Sequence, residues 1–272
     1  MASKMEIRVA VAGLGAIGKV IAAKLDRQEV KGCTLSAVSG RDTRKSEDFV
    51  ATLTTPVPIV PLDQLSEYAD VVIECAPPAL LAEVAGPALR AGKKVIVLSI
   101  GALLDHPELV ELAADGQGQI LLPTGALIGL DAVTAAAEGH IESVKMVSRK
   151  PPEGLKGAPF LVEQNINIDN LTEPLKLFSG TAREAARGFP ANLNVSVALS
   201  LAGIGPDRTL LEVWADPGIV RNTHHIEVVS DSALLHMTIE NIPSENPKTG
   251  RITAQSVIAL LRKMTTPMRV GT

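Results

Sequence analysis

The first 122 residues alternate short apolar runs with stretches of helical apolar spacing. We predict strands at the apolar runs 7–12, 34–38, 69–75, 93–99 and 119–122. Helical spacing separates them at 19–25, 62–68, 79–91 and 107–114, with a short extended piece at 56–61. Strands that alternate with helices in this way predict an α/β fold with a doubly wound parallel sheet.

The pattern changes after about residue 127. Strand-like alternation predicts strands at 141–149, 208–215, 223–229 and 234–239, and residues 194–202 form a further apolar run. Helical spacing occurs at 131–139, 181–189 and 252–264, and polar loops occupy 150–154 and 241–250. This mixture predicts an antiparallel α+β region followed by a closing amphipathic helix.

Composition narrows the class of protein. Only 2% of the 272 residues are aromatic while 46% are hydrophobic, so the core must be aliphatic. A net charge of −4, without a basic stripe, gives no reason to expect nucleic acid. No segment reaches the ~18 apolar residues of a membrane span. Cys33 and Cys75 have no metal-ligand spacing, which fits a reducing compartment, so we expect a cytoplasmic protein without a metal or membrane partner.

A G-x-G-x-x-G sequence follows the first predicted strand and opens the first predicted helix. Gly13 permits a tight turn, Gly15 lets the backbone approach a pyrophosphate, and Gly18 lets helix and strand pack closely. The helix start, with Ala16 and Ile17, offers N–H groups to the phosphates. We therefore predict a dinucleotide site; the alternative is a glycine-rich turn without a ligand.

Ligands of doubly wound sheets bind beyond the carboxyl ends of the strands. We expect one crevice to be lined by the segments 13–18, 39–41, 76–78 (with Ala76 and Pro77), 99–101 and 124–126. The second strand ends in Ser39 and Gly40, followed by Arg41, where an acidic residue would select NAD. A guanidinium suits a 2′-phosphate, so we expect NADP to be accepted alongside NAD. Alternatively, Arg41 is a solvated loop residue or stacks on adenine.

His224 and His225 are adjacent on a predicted strand, so their side chains point to opposite faces. Arg221 and Asn222 place a cation and an amide beside them, and an imidazole suits acid–base work near neutral pH. A purely structural histidine remains the alternative. Asp70 and Glu74 are roughly 13 Å apart along an extended strand, so we assign them structural roles.

The chain resembles the L-aspartate dehydrogenase family over nearly its whole length. The resemblance is carried by the glycine motif, Ser99-Ile100-Gly101-Ala102-Leu103, Gly125-Ala126, Arg149-Lys150-Pro151-Pro152, Phe189-Pro190-Ala191-Asn192-Leu193-Asn194-Val195, Arg221-Asn222-Thr223-His224-His225-Ile226 and Pro243-Ser244-Glu245-Asn246-Pro247-Lys248-Thr249-Gly250. Thr124 departs from the serine expected there but keeps the hydroxyl.

The resemblance implies that His224 is the catalytic acid–base and that the Ala126 backbone N–H and Asn194 contact the nicotinamide nucleotide. It also implies a Rossmann-type dinucleotide domain, 1–127 plus 246–272, with an inserted α+β substrate and dimerisation domain, 128–245, in a homodimer.

The implied reaction converts L-aspartate and NAD(P)+ reversibly to oxaloacetate, ammonia and NAD(P)H through iminosuccinate, a reaction that feeds pyridine nucleotide synthesis. Two substrate carboxylates need donors, and the candidates are Arg149, Lys150, Arg221, Lys248, Asn192 and Asn222. Two alternatives stay open: a reductase of another amino or imino dicarboxylic acid, and a nucleotide-binding redox sensor that turns nothing over.

Overall fold

The computed structural model describes residues 6–190, 193–242 and 250–272. The chain divides into two compact units. The first runs to Pro123 and includes Ala254–Val270, and the second comprises Thr124–Thr253 and Gly271–Thr272. The second unit therefore interrupts the first in sequence.

Five parallel strands form the sheet of the first unit. They are β1 (Ile7–Ala12), β2 (Cys33–Ser39), β3 (Val71–Glu74), β4 (Lys94–Val97) and β5 (Gln119–Leu121). Their order is β2-β1-β3-β4-β5, and Val9 of β1 lies opposite Val71 of β3. Residues 9–12 are all fully buried. Consecutive buried residues require cover on both faces of the strand, as in other parallel sheets.

Helices lie in the segments that connect these strands. They are α1 (Ala16–Asp26), α2 (Thr43–Val50), α3 (Leu65–Tyr68), α4 (Leu81–Arg90) and α5 (Pro107–Asp115). Short 3-10 turns occupy Leu62–Gln64, Pro78–Leu80 and Ile100–Asp105. Ile21 and Leu25 of α1 share one buried cluster with Val9, Val11 and Ile73. The fully buried members of this cluster are aliphatic residues and Cys33, as the composition predicts.

The second unit is built on a mixed sheet. Its elements are α6 (Leu130–Ala137), β6 (Ile141–Lys150), a 3-10 turn (Pro152–Gly154), α7 (Pro159–Glu163), β7 (Leu175–Thr181), α8 (Ala182–Gly188), α9 (Asn194–Ala202), β8 (Thr209–Ala215), β9 (Asn222–Ser230) and β10 (Leu234–Asn241). The strand order is β10-β9-β6-β8-β7. The pairs β10–β9, β9–β6 and β8–β7 are antiparallel as expected for the α+β region, whereas β6 and β8 are parallel, so the sheet is mixed.

The sheet of the second unit buries one face. Val144 and Met146 of β6 and Val213 of β8 belong to its core cluster, while Lys145 on the other face is exposed. Phe160, Phe178 and Phe189 pack in this unit with ring centroids 5.4 to 6.0 Å apart. The covered face of this sheet therefore carries the core residues, and any buried polar side chain of these strands lies on it.

The last helix, α10 (Ile252–Thr265), returns to the first unit. Its buried residues Ala254, Val257, Ile258 and Leu261 join the cluster formed by β1 and α1. Thr265 Oγ1 donates to the carbonyl oxygen of Lys31 at 2.9 Å, and Arg262 donates to the carbonyl oxygen of Glu29.

The predicted doubly wound sheet with a second α+β unit is confirmed, and the structure adds three elements that the pattern does not show: α2, α7 and β7. Helix α2 buries only Ser46, so it lacks an apolar stripe, and it begins where the Asp42 carboxylate accepts from Lys45 N at 3.1 Å. Helix α7 spans five residues and starts at a proline. Strand β7 is an edge strand that ends in Ser-Gly-Thr.

Truncating Leu261 tests whether α10 is a core element. Leu261→Ala removes a fully buried side chain and is expected to lower the free energy of unfolding by about 2–5 kcal/mol. The exposed Gln255 on the same helix is the matched control. Gln255→Ala is expected to change the free energy of unfolding by less than about 0.5 kcal/mol. Denaturant titration followed by circular dichroism measures both. Equal unfolding midpoints for the two variants would contradict the assignment of α10 to the core.

Candidate active site

A cavity of about 950 Å³ opens where β1, β2 and β3 of the first unit end. Six residues predicted for cofactor binding line it: Gly13, Gly15, Ser39, Arg41, Ala76 and Pro77. Ala16, Ile17 and Gly18 lie in the first turn of α1 beside it. Two expected segments are not among the lining residues: 99–101, and 124–126, which belong to the second unit.

The three glycines of the motif have distinct surroundings. Gly13 has a φ of +99°, and a Cβ there would lie 2.6 Å from the carbonyl oxygen of Cys75. A Cβ on Gly18 would overlap the carbonyl oxygen of Gly13. Around Gly15, by contrast, a Cβ would have no atom within 4 Å. Two glycines thus permit close backbone packing, and the third leaves open space at the cavity.

Helix α1 begins at this open space. Gly15 is its N-cap residue, and no side chain caps the helix. The N–H groups of the first turn therefore remain available to a phosphate, and the helix dipole favours a negative charge there. The cavity, the open glycine and the uncapped helix fit the pyrophosphate of a dinucleotide.

The end of β2 lacks a carboxylate. Ser39 is buried and Arg41 is exposed at the cavity, without an ion pair among the described residues. Asp42 and Lys45 also line the cavity and form an ion pair of 3.7 Å. Sequence reasoning missed this pair, because it depends on α2.

Glu74 is a fully buried carboxylate at the end of β3. It accepts hydrogen bonds from the backbone N–H groups of Leu98 at 3.1 Å and Ser99 at 2.8 Å, and from Ser99 Oγ at 3.0 Å. Burial raises the pKa of Glu74 in spite of these donors. Ser99 Oγ also lies 3.3 Å from the carbonyl oxygen of Ala76. Glu74 therefore holds the loops after β3 and β4 together, which is a structural role as predicted.

Asp70 has a separate structural role. Its carboxylate lies 2.9 Å from Arg8 and 3.6 Å from Lys93. The hydrogen bond from Arg8 lowers the pKa of Asp70 to about 2.

The second unit contains a row of buried polar side chains on the covered face of its sheet. We define this polar row as Ser148, Lys150, Asn222, His224 and Asn241, all of them buried. Ser148 lies opposite His224 in the β6–β9 pair, and Asn222 lies opposite Asn241 in the β9–β10 pair. Residues two apart on a strand share a face, so the row spans three adjacent strands at one end of the sheet.

Three atoms of the polar row have no hydrogen-bond partner among the described residues: Ser148 Oγ, His224 Nδ1 and Asn241 Oδ1. Buried polar atoms are nearly always hydrogen-bonded, because an unmade bond costs roughly 1–3 kcal/mol. Three such atoms on one face indicate a place where a polar ligand completes the bonding.

Burial also controls the charge of the row. Burial, followed by the electrostatic effects of Lys150 and then His225, lowers the pKa of His224 to about 3. Burial lowers the pKa of Lys150 to about 8. His224 is thus neutral at pH 7, which suits a base but differs from the titrating imidazole expected from the sequence.

Two predicted nicotinamide contacts lie in the same unit. The carbonyl oxygen of Ala126 accepts a hydrogen bond of 2.9 Å from Asn241 Nδ2, which ties Ala126 to the polar row. Asn194 is the half-buried first residue of α9. Sequence reasoning missed Ser148 and Asn241, although strand alternation places Ser148 on the face of Lys150.

The other face of the sheet carries Arg149, His225 and Trp214. Arg149 lies 3.1 Å from Asp216, and its guanidinium carbon is 4.7 Å from the centroid of the Trp214 ring. His225 is exposed and its Nδ1 lies 2.9 Å from Thr238 Oγ1. The structure therefore does not bring Arg149 together with His224. Arg221 is exposed and lies 3.4 Å from Glu240.

Asn192 and Lys248, two candidate substrate ligands, lie outside the described residues. Within the described ranges, no group of three or more potential metal ligands occurs. In that same part of the chain, every helix is too short or too polar to cross a bilayer.

Two sequence profiles match the chain. One, described as "Homoserine dehydrogenase, NAD binding domain", matches residues 13–123, and one, described as "Aspartate dehydrogenase, C-terminal", matches residues 131–264. The chain is 72% identical over 272 residues to "L-aspartate dehydrogenase 3" of Bordetella bronchiseptica, covering 100% of both chains. It is 62% identical over 267 residues to L-aspartate dehydrogenase of Bradyrhizobium diazoefficiens, covering 98% of this chain and 95% of that one.

Solved structures share the fold. The crystal structure of aspartate dehydrogenase from Thermotoga maritima matches with a TM-score of 0.71 at 20% identity, covering 97% of this chain and 99% of that one. Scyllo-inositol dehydrogenase from Lactobacillus casei, with bound NAD(H) and scyllo-inositol, matches with a TM-score of 0.52 at 15% identity, covering 94% and 87%. The predicted fold class and the nicotinamide dinucleotide cofactor are confirmed. With relatives this similar over its whole length, the chain belongs to the L-aspartate dehydrogenase family.

Proposed function

We propose that this protein catalyses the reversible, NAD(P)-dependent oxidative deamination of L-aspartate to oxaloacetate and ammonia through iminosuccinate. The observation that carries the proposal is the polar row in the unit that matches the aspartate dehydrogenase profile, because three of its buried atoms have no partner within the described ranges and so favour a polar ligand site. The match to full-length relatives named L-aspartate dehydrogenase supports aspartate as the substrate.

When bound, the cofactor accepts the hydride of the substrate Cα at its nicotinamide ring. The protein must hold the substrate in register and move protons on and off nitrogen and water. His224 is neutral and buried, so it is suited to take a proton from the water that hydrolyses the imine. We assign His224 as the catalytic acid–base on this ground.

Asn222 and Lys150 share the face of His224 and are our described candidates for substrate contacts. Asn192 and Lys248 complete the proposed set, and Ala126 and Asn194 are proposed to contact the nicotinamide nucleotide. We propose that the protein resides in the cytoplasm and forms a homodimer. Light scattering of the purified protein would test the oligomeric state.

The first experiment measures NAD(P)H oxidation with oxaloacetate and ammonia, and NAD(P)+ reduction with aspartate, glutamate, alanine and homoserine. Ammonia-dependent turnover with oxaloacetate, and oxidation of aspartate above the other amino acids, would support the proposal. Cofactor binding without turnover of any of these compounds would overturn it.

Replacing His224 separates catalysis from cofactor binding. His224→Ala is expected to lower kcat by about 10²–10⁴, the usual contribution of an acid–base group. Binding of NADPH, measured by its fluorescence, should change little, because the pyrophosphate cavity lies in the first unit. His225→Ala is the matched control, since that side chain lies on the other face. Full turnover by His224→Ala would refute the assigned role.

Arg41 is proposed to bind the 2′-phosphate of NADP. Arg41→Ala is expected to raise the KM for NADP about tenfold, because a charge-assisted hydrogen bond is lost at an exposed site. The KM for NAD should stay nearly constant. Arg44→Ala removes an exposed cation of α2 that does not line the cavity, and serves as the control. An equal change for both cofactors would show that Arg41 does not discriminate between them.

A further inference from the structure

Asn241, the last residue of β10, presents a buried acceptor atom in a fixed direction. The residue is 3% exposed, and its Oδ1 receives no hydrogen bond from any residue that the structure describes. Its Nδ2 donates to the carbonyl oxygen of Ala126 at 2.9 Å. Turning the amide over would place two acceptor oxygens against each other, so the bond to Ala126 fixes the direction of Oδ1.

The surroundings of Asn241 place it beside the proposed acid–base group. Asn222 lies opposite Asn241 in the β9–β10 pair, and His224 is the next residue of β9 on that face. Residues placed diagonally on paired strands, as Asn241 and His224 are, lie about 7–8 Å apart. Gly250 packs against the amide and has no side chain, and a Cβ there would lie 3.3 Å from Oδ1.

The three unpartnered atoms of the polar row differ in what they bind. The hydroxyl of Ser148 and the neutral imidazole of His224 each donate or accept, depending on rotation and tautomer. The amide oxygen of Asn241 only accepts, so a ligand that satisfies it must bring an N–H or O–H group. The ionised carboxylates of aspartate are acceptors as well, and its amino group is its only donor.

We propose that Asn241 determines specificity by accepting a hydrogen bond from the substrate nitrogen through Oδ1, which selects the imine over the keto acid. The inference rests on the proposed function. The ammonium, amine and imine forms of the nitrogen each carry at least one N–H, whereas the matching oxygen of oxaloacetate only accepts. A keto oxygen there would face Oδ1 on a dry surface and leave both atoms unsatisfied.

The reductive direction of the proposed reaction needs such a selection. Hydride transfer to the imine, with one proton, gives aspartate, and the same transfer to the keto carbon of oxaloacetate, with one proton, gives malate. The two reactions consume the same reduced cofactor, so the hydride step does not separate them. A site that hydrogen-bonds an N–H group rejects an analogue that lacks it, because its own polar atom is then left unpaired.

The products formed from oxaloacetate measure the selection directly. The purified protein is supplied with oxaloacetate, ammonia and NADPH, and aspartate and malate are separated by chromatography. We expect the wild type to form malate at least about 100-fold more slowly than aspartate. Comparable rates of the two products in the wild type would overturn the inference without any variant.

Two substitutions separate this selection from support of the Ala126 segment. Asn241→Leu removes both the donor and the acceptor, whereas Asn241→Asp keeps an acceptor oxygen and loses the amide N–H. For Asn241→Leu we expect slower aspartate formation and a malate to aspartate ratio raised about tenfold or more, since one buried hydrogen bond is lost. Asn241→Asp should keep the wild-type ratio even where its rate is lower. An equally raised ratio in both variants would show that Asn241 only supports Ala126.

Thr238→Val is the matched control for these variants. Thr238 lies on the same strand but is exposed on the other face, where its hydroxyl lies 2.9 Å from His225 Nδ1. Its product ratio should equal that of the wild type. Circular dichroism checks that each variant is folded.

Binding of two unreactive ligands tests the contact without turnover. L-Aspartate and (S)-2-methylsuccinate, which has a methyl group in place of the amino group, are titrated by calorimetry into the protein–NADPH complex. The wild type should bind aspartate about tenfold or more tighter than methylsuccinate, because the methyl group brings no donor. Asn241→Leu should lose most of this difference. A difference that survives in Asn241→Leu would place the amino group elsewhere and overturn the inference.

The carboxamide of the nicotinamide ring is another N–H donor, and a cofactor analogue separates it from the substrate. The 3-acetylpyridine analogue of NADH has a methyl group in place of the carboxamide NH2. We expect Asn241→Leu to change the affinities for NADH and for this analogue by the same factor. A loss of affinity for NADH alone would assign the donor to the cofactor and refute the role in substrate selection.

Failure of the inference and failure of the proposed function give different results. If the wild type forms aspartate and Asn241→Leu keeps the wild-type product ratio, Asn241 does not select the substrate and the proposed function stands. If the wild type neither forms nor oxidises aspartate, the proposed function fails, and the inference that rests on it fails too.

Discussion

Burial of both faces of the parallel sheet is the constraint on which the first unit depends. With residues 9–12 of β1 buried in succession, polar groups have room only where strands end. The cavity therefore lies at the ends of β1, β2 and β3, and its floor is backbone packed too closely for side chains at Gly13 and Gly18. Even the buried Glu74 is placed at a strand end, where backbone N–H groups of the next loop can reach it.

The second unit follows a different rule, because its sheet has one covered and one open face. Hydrophobic side chains fill the covered face of β6 up to Met146, and polar ones follow from Ser148 onward. Strand β9 changes from hydrophobic to polar side chains at the paired positions. Ile226 lies opposite Met146, and the next residues on the same face are His224 and Asn222. The polar row thus lies at the edge of a hydrophobic core, where burial lowers the pKa values of Lys150 and His224.

Much of this was predictable from the sequence, for reasons that particular residues illustrate. The strands of the first unit are apolar throughout, so they stand out, whereas α2 depends on the Asp42 cap and buries only Ser46. Alternation separates His224 from His225, and it equally separates Lys150 from Arg149. The pKa values were not predictable, because they depend on which groups cover the face. The Asn241 to Ala126 hydrogen bond joins residues 115 positions apart, which no local pattern reveals.

Trp214 is an intrinsic fluorescence probe of the second unit. It is the only tryptophan in the chain, and it lies on the open face of β8 between Arg149 and Lys176, 4.7 and 5.8 Å from its ring centroid. The indole N–H donates to Glu212 at 3.0 Å. Its neighbour in sequence, Ala215, pairs with Lys150. Tryptophan emission therefore originates wholly in the second unit, one residue along β8 from the position that pairs with Lys150.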